Sequence, residues 1–209
     1  YSETFYLRVV RIPEVLICGT GGGLGVLING KRETIMEYTE IKTIKVDEKN
    51  KRYYFVICEG KFNGKRAEVN INDGFAKRMK CISYKSGVHL IFSKTRQTKN
   101  NKGILKFKNG KKTYEAIISS NILKNGRYEL EFADSFHKSN EFYRKEARLY
   151  RVWFRIASND GTKDRYLHTG SFSRGCITVT DVEYWDEICD ILRKSRLKKG
   201  VVGIVEVTD

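Results

Sequence analysis

The chain has 209 residues, 40% hydrophobic and 12% aromatic, which is too apolar for a disordered polymer and enough for one large or two small cores. A formal charge of +15 favours anionic partners such as cell-wall polymer, acidic peptide, anionic lipid or nucleic acid, but the positives are scattered along strand-like segments. No helix-turn-helix, zinc-finger or RNP-like pattern accompanies them, which makes nucleic acid an unlikely partner, and no apolar run nears the roughly 18 residues of a membrane span.

In chain order, period-2 alternation of β-branched and aromatic residues first predicts a strand over Phe5–Arg11. The segment Gly19-Thr20-Gly21-Gly22-Gly23-Leu24-Gly25 follows. It fails as a dinucleotide fingerprint, because Leu24 stands where the third Gly belongs and no helical pattern comes next, and it reads as a flexible loop. Strands are then expected at Thr34–Tyr38, Thr43–Asp47, Tyr53–Glu59, Ala67–Ile71 and Val88–Ser93. Asn-Gly pairs at Asn29-Gly30 and Asn63-Gly64 supply the positive φ of tight turns. Tyr53–Asn70 has the pattern of an SH3-like hairpin, an analogy at the level of fold alone. The polar run Lys94–Lys102 reads as a linker, dividing a small β domain, 1–97, from a second domain, 98–209.

The second half continues with strands at Gly103–Lys108, Lys112–Ser119, Gly126–Phe132, Tyr150–Ile156 and Ile177–Thr180, with Asn109-Gly110 and Asn125-Gly126 as turns. One helix follows Thr180. Trp185, Ile188, Cys189 and Leu192 recur at helical spacing, acidic residues open it and Arg193, Lys194 and Arg196 close it. Gly200 ends it, and Val201–Val207 is a last strand. The opening residues lack the pattern of a signal peptide, but the chain starts on Tyr1 rather than Met, which leaves room for a trimmed upstream signal.

Cysteines stand at 18, 58, 81, 176 and 189, an odd number with no Cys-x-x-Cys, which argues against a disulfide framework and a closed zinc site. Cys18, Cys58, Cys81 and Cys189 have apolar neighbours and read as buried hydrophobes. Cys176 differs. It ends the turn Ser173-Arg174-Gly175-Cys176, eight residues after His168. Two strands joined by this Gly/Ser turn could bring imidazole to thiol, and a base beside a thiol yields the nucleophilic thiolate. Gly175 permits close backbone approach, so its N–H and that of Cys176 could face one carbonyl oxygen. The spacing equally allows a buried Cys and a turn His that never meet. His137, ahead of the polar stretch 138–141, could edge a cleft or sit in a surface loop. Tyr150, Trp153 and Phe154 could stack on a sugar or peptide or fill a strand core. His89 reads as structural.

Ser173-Arg174-Gly175-Cys176-Ile177 resembles the Ser/Thr-x-Gly-Cys signature of the L,D-transpeptidase catalytic domain, and His168-Thr169-Gly170 is similar to that family's His-Gly element. Leu105–Lys111 resembles its opening hairpin and Gly126-Arg127-Tyr128-Glu129-Leu130 its Gly-x-Tyr strand, so the resemblance covers about 103–209. The eight-residue His-to-Cys spacing is shorter than in commoner members and resembles a branch that also holds peptidoglycan hydrolases. Arg174 stands where many members have His.

The strand pattern predicts a mainly β protein with a small N-terminal β-barrel-like domain, and the resemblance implies a C-terminal β-sandwich with one helix. It implies acyl transfer on peptidoglycan stem peptides in the cell envelope, periplasm or outside the cell. Cys176 is then the nucleophile, His168 the base and Gly175 part of the oxyanion site. Ser173, Arg174 and Gly170 fall on the substrate side, with His137 at the cleft edge, and no metal or organic cofactor is required. Murein L,D-carboxypeptidase, endopeptidase or amidase activity on the same fold is the alternative. A non-catalytic basic module binding cell-wall polymer or nucleic acid is the alternative of another class.

Overall fold

A computed structural model of the chain describes residues 4–6, 22–71, 84–95, 102–118, 123–158 and 164–209. Cys18, Cys81, most of the expected first strand and Gly19–Gly21 lie outside these residues. The protein is mainly β, with one α-helix among the described residues, and it divides into two compact units, Tyr1–Tyr84 and Lys85–Asp209.

The first unit is a six-stranded antiparallel sheet of β1 (Thr4–Tyr6), β2 (Gly23–Ile28), β3 (Lys31–Met36), β4 (Glu40–Asp47), β5 (Arg52–Ile57) and β6 (Arg66–Asn70), in the order β1-β4-β5-β6-β2-β3. Alternation builds its core: Leu24, Val26, Ile28, Ile35, Ile41, Phe55, Ile57 and Ala67 all face one buried cluster. Asn29 (φ 51) and Gly30 (φ 75) make the two-residue turn between Ile28 and Lys31 that their identities predict. The Gly-rich segment is corrected in part. Gly23–Gly25 belong to β2, because Leu24, Val26 and Ile28 alternate inward and outweigh the local glycines.

The second unit holds β7 (Lys85–Ser86), β8 (Val88–Lys94), β9 (Lys102–Phe107), β10 (Thr113–Ile117), β11 (Gly126–Glu131), β12 (Phe154–Ala157), β13 (Tyr166–Thr169), β14 (Ile177–Val179), α1 (Trp185–Arg193), β15 (Ser195–Arg196) and β16 (Val201–Thr208). Eight of these strands close in the order β10-β14-β13-β12-β11-β16-β8-β9, the ring being completed by pairing of β9 with β10. This corrects the expected sandwich. Inward–outward alternation is the same in both architectures, and closure depends on which strands pair.

Strand β8 decides where the units part. It runs parallel to β16 from Val88↔Gly203 to Ser93↔Thr208 and antiparallel to β9, so it belongs to the barrel. The run Lys94–Lys102 therefore connects two strands of one barrel, and the division falls at 84/85 rather than 97/98. Gly203 permits the β8–β16 contact, since a Cβ there would lie 2.2 Å from the Val88 carbonyl oxygen. Helix α1 buries Trp185, Ile188, Cys189 and Leu192, the four residues that its periodicity selects. Trp185 packs edge-on against Phe154 of the barrel and donates Nε1–H to the Leu149 carbonyl at 3.0 Å.

Candidate functional site

The Cys–His segment occupies an unusual connection. Strands β13 and β14 are adjacent and parallel, with Leu167↔Ile177, His168↔Thr178 and Thr169↔Val179 in register. Parallel neighbours usually need a crossover of a dozen residues or more. Here residues 170–176 alone make the return. Gly175 turns the chain with φ 100, a conformation that side chains with a Cβ rarely adopt.

Side chains lock this return. Buried Ser173 donates its hydroxyl to the Cys176 carbonyl at 2.6 Å and accepts the Gly175 N–H at 3.3 Å. Tyr143, from the turn of 3-10 helix at Glu141–Lys145, accepts the Ser171 N–H at 2.9 Å and shares a hydroxyl–hydroxyl bond of 2.7 Å with Ser171. Phe172 and Arg174 project outward, the guanidinium lying 5.5 Å from the Phe172 ring. Ser173 thus supports the loop, Arg174 is solvent-facing, and one of the two expected oxyanion donors, Gly175 N–H, is turned onto the loop's own hydroxyl. Gly170 (φ 151) begins the return, with Tyr143 and Thr178 at van der Waals distance from where a Cβ would sit.

His168 is buried and held at both ring nitrogens. Nδ1 lies 2.8 Å from the Thr169 carbonyl, an acceptor only, so Nδ1 carries the proton. Nε2 is then the basic nitrogen, and it meets the Thr178 hydroxyl at 3.1 Å. Burial lowers the pKa from 6.5 to about 4. The Thr169 carbonyl opposes that shift and nearby His137 adds to it. The imidazole is consequently neutral at physiological pH, the form a general base requires.

Cys176 is 7% exposed and lies just before β14. Its thiol points to the Asp164 carbonyl at 3.9 Å, and burial raises its pKa, partly offset by the Tyr166 backbone and Arg165. Among the described residues the thiol makes no hydrogen bond to His168. Cys176 immediately precedes Ile177, which pairs with Leu167, while His168 pairs with Thr178. The Thr178 hydroxyl now on Nε2 has a second acceptor, the Phe172 carbonyl, at 3.2 Å. Turned there, it would leave Nε2 without a donor.

His137 is not a plain surface residue. Its ring stacks on Trp153 at 4.6 Å and 3°, and meets Tyr166 edge-on at 4.6 Å. Burial lowers its pKa, against the pull of Asp134. His168 stacks on the same Trp153, at 4.3 Å and 21°. Trp153, one of three aromatics singled out in the sequence, contacts both imidazoles, and Tyr143 contacts the return loop. Trp153 is half-buried, between fully buried Val152 and Phe154. Tyr143 carries no signal in the chain. Elsewhere, His89 bonds Glu206 at 2.8 Å, the structural role expected of it.

Among the described residues no group of three or more His, Cys, Asp or Glu could hold a metal ion, and no helix is long and apolar enough to cross a membrane. Compared with models of protein families, with curated proteins and with solved structures, the chain has no match in any of the three.

Proposed function

We propose that the second unit is a cysteine acyltransferase acting on peptidoglycan stem peptides, an L,D-transpeptidase-like enzyme of the cell envelope or of secreted material. The observation that carries this reading is the His168 ring. Its Nδ1–H is fixed on the Thr169 carbonyl, and its unprotonated Nε2 meets Thr178 on the neighbouring strand, two residues after Cys176. In the proposed reaction Nε2 takes the thiol proton while Sγ attacks the carbonyl carbon at the L-to-D junction. The tetrahedral intermediate collapses with cleavage of the C–N bond, and His168 returns the proton to the leaving amine. The thioester then passes to a second amine, giving transfer, or to water, giving hydrolysis. No feature of the sequence marks an amine pocket, so both acceptors compete. The basic surface suits the carboxylates of stem peptides and anionic wall polymer.

One observation favours a second reading, a basic binding module with a structural Cys176. The thiol is buried, protonated at neutral pH and bonded away from the imidazole. Incubation with muropeptides followed by mass spectrometry separates the two. Shortened, exchanged or cross-linked stem peptides, lost in Cys176→Ala, support the enzyme. Retention of muropeptides without chemical change rejects it.

A further inference from the structure

We propose that Trp153 is a positioning residue for His168, its indole holding the imidazole at the angle at which Nε2 meets Thr178 on β14, the strand that follows Cys176. The inference rests on the acyl-transfer reading for its catalytic consequence, but its geometric content stands separately.

The hydrogen bonds of His168, to Thr169 and Thr178, both lie at ring nitrogens. Bonds at the ring edge fix its rotation in its own plane and restrain tilting of that plane only weakly. The flat face of Trp153, at 4.3 Å and 21°, supplies the missing restraint. The indole is itself anchored. Nε1–H donates to the carbonyl of Tyr150 at 3.2 Å, and Tyr150 is 1% exposed. His137 lies parallel to the indole, and its backbone is fixed by two bonds to Arg151: its N–H donates to the Arg151 carbonyl and its carbonyl accepts Arg151 Nε–H, each at 2.9 Å. Tyr166 closes the group, tilted against Trp153 with centroids 5.7 Å apart.

Packing alone does not account for the residue. Trp153 precedes β12 and is half-buried, whereas Val152, Phe154 and the second tryptophan, Trp185, are fully buried. The ring stacks with two imidazoles, one of them at the candidate site, which places it to orient.

The test uses the full chain labelled with 15N-histidine, as wild type, Trp153→Leu and Trp153→Phe. NMR reads the His168 tautomer and titration, and steady-state kinetics are run on a soluble muropeptide. In the Leu variant His168 is expected to lose its single Nδ1–H tautomer and to titrate about one unit or more higher as water enters. Its kcat should fall about 10- to 100-fold at little-changed KM. The Phe variant, which keeps a flat face, should recover most of both. Should the Leu variant not fold, Trp153→Met takes its place with the same expectations. An unchanged His168 tautomer and titration without the indole overturns the proposal. So does a raised KM with kcat and His168 unaltered, which would assign Trp153 to substrate contact. Absence of turnover in the wild type, with His168 responding as expected, refutes acyl transfer and leaves the positioning role intact.

Discussion

The depressed basicity of His168 makes the barrel's stability depend on pH in a defined window. The ring binds a proton with pKa about 4 when folded, against 6.5 as its ordinary value. Between those values the unfolded chain holds the proton and the folded chain does not, so acid favours unfolding. The contribution is fully present above pH 6.5 and is lost as pH falls through the folded value near 4. Complete loss amounts to about 3 kcal/mol, and at pH 5 about 2 kcal/mol has gone. The perturbation is His168→Gln, which is neutral at every pH. Urea unfolding followed by tryptophan fluorescence is the assay, because both tryptophans, Trp153 and Trp185, lie in the second unit and report on it alone. His137, also depressed by burial, titrates in both proteins, and its repulsion of His168 is part of the shift being tested. Asp190, held below its ordinary value by Arg193 and Lys194 despite its burial, titrates beneath the window. The wild type should lose about 2 kcal/mol more than the variant between pH 7.5 and pH 5. Equal losses in the two would refute the buried, neutral imidazole and with it the description of the base.

Ser173→Ala removes a donor to the Cys176 carbonyl and an acceptor for Gly175 N–H, and should cost about 1–3 kcal/mol in the same unfolding assay, with Cys176 becoming more reactive to thiol reagents as its loop loosens. Gly203→Ala forces a Cβ against the Val88 carbonyl and should unfold the barrel or shift β8 from β16; hydrogen exchange of residues 88–93 that matches wild type would contradict the pairing. Lys112→Met deletes an exposed ion pair with Glu187 and should change stability by less than about 1 kcal/mol; a larger loss in urea would mean the pair is more buried than described.

Local chemistry was legible where one segment carries its own signal. Asn29-Gly30 announced its hairpin, the Trp185–Leu192 periodicity announced α1, and Ser173–Cys176 stood apart from the other cysteines because no apolar alternation explained it. Features made by distant pairing were not. The parallel neighbours β13–β14 and β8–β16 leave no periodic mark that distinguishes them from antiparallel ones, so barrel closure was invisible. Lys94–Lys102 misled because a hairpin connection and an interdomain linker are equally polar. The glycines of β2 masked a strand whose alternation at Leu24, Val26 and Ile28 was present all along. At the site, spacing marked His168 and Cys176 as candidates but did not say whether they meet, and the thiol's turn towards Asp164 and the indole shared by His137 and His168 arise from packing between residues twelve to sixteen positions apart.

The central claim is that Cys176 is acylated. Intact-protein mass spectrometry of the full chain, quenched in acid during reaction with a soluble stem peptide, tests it most directly. The account predicts a covalent adduct of the acyl donor's mass, mapped by proteolysis to the peptide holding Cys176 and missing from Cys176→Ala. Substrate consumed with undiminished rate by Cys176→Ala, or an adduct carried by Cys58 or Cys189, would contradict it.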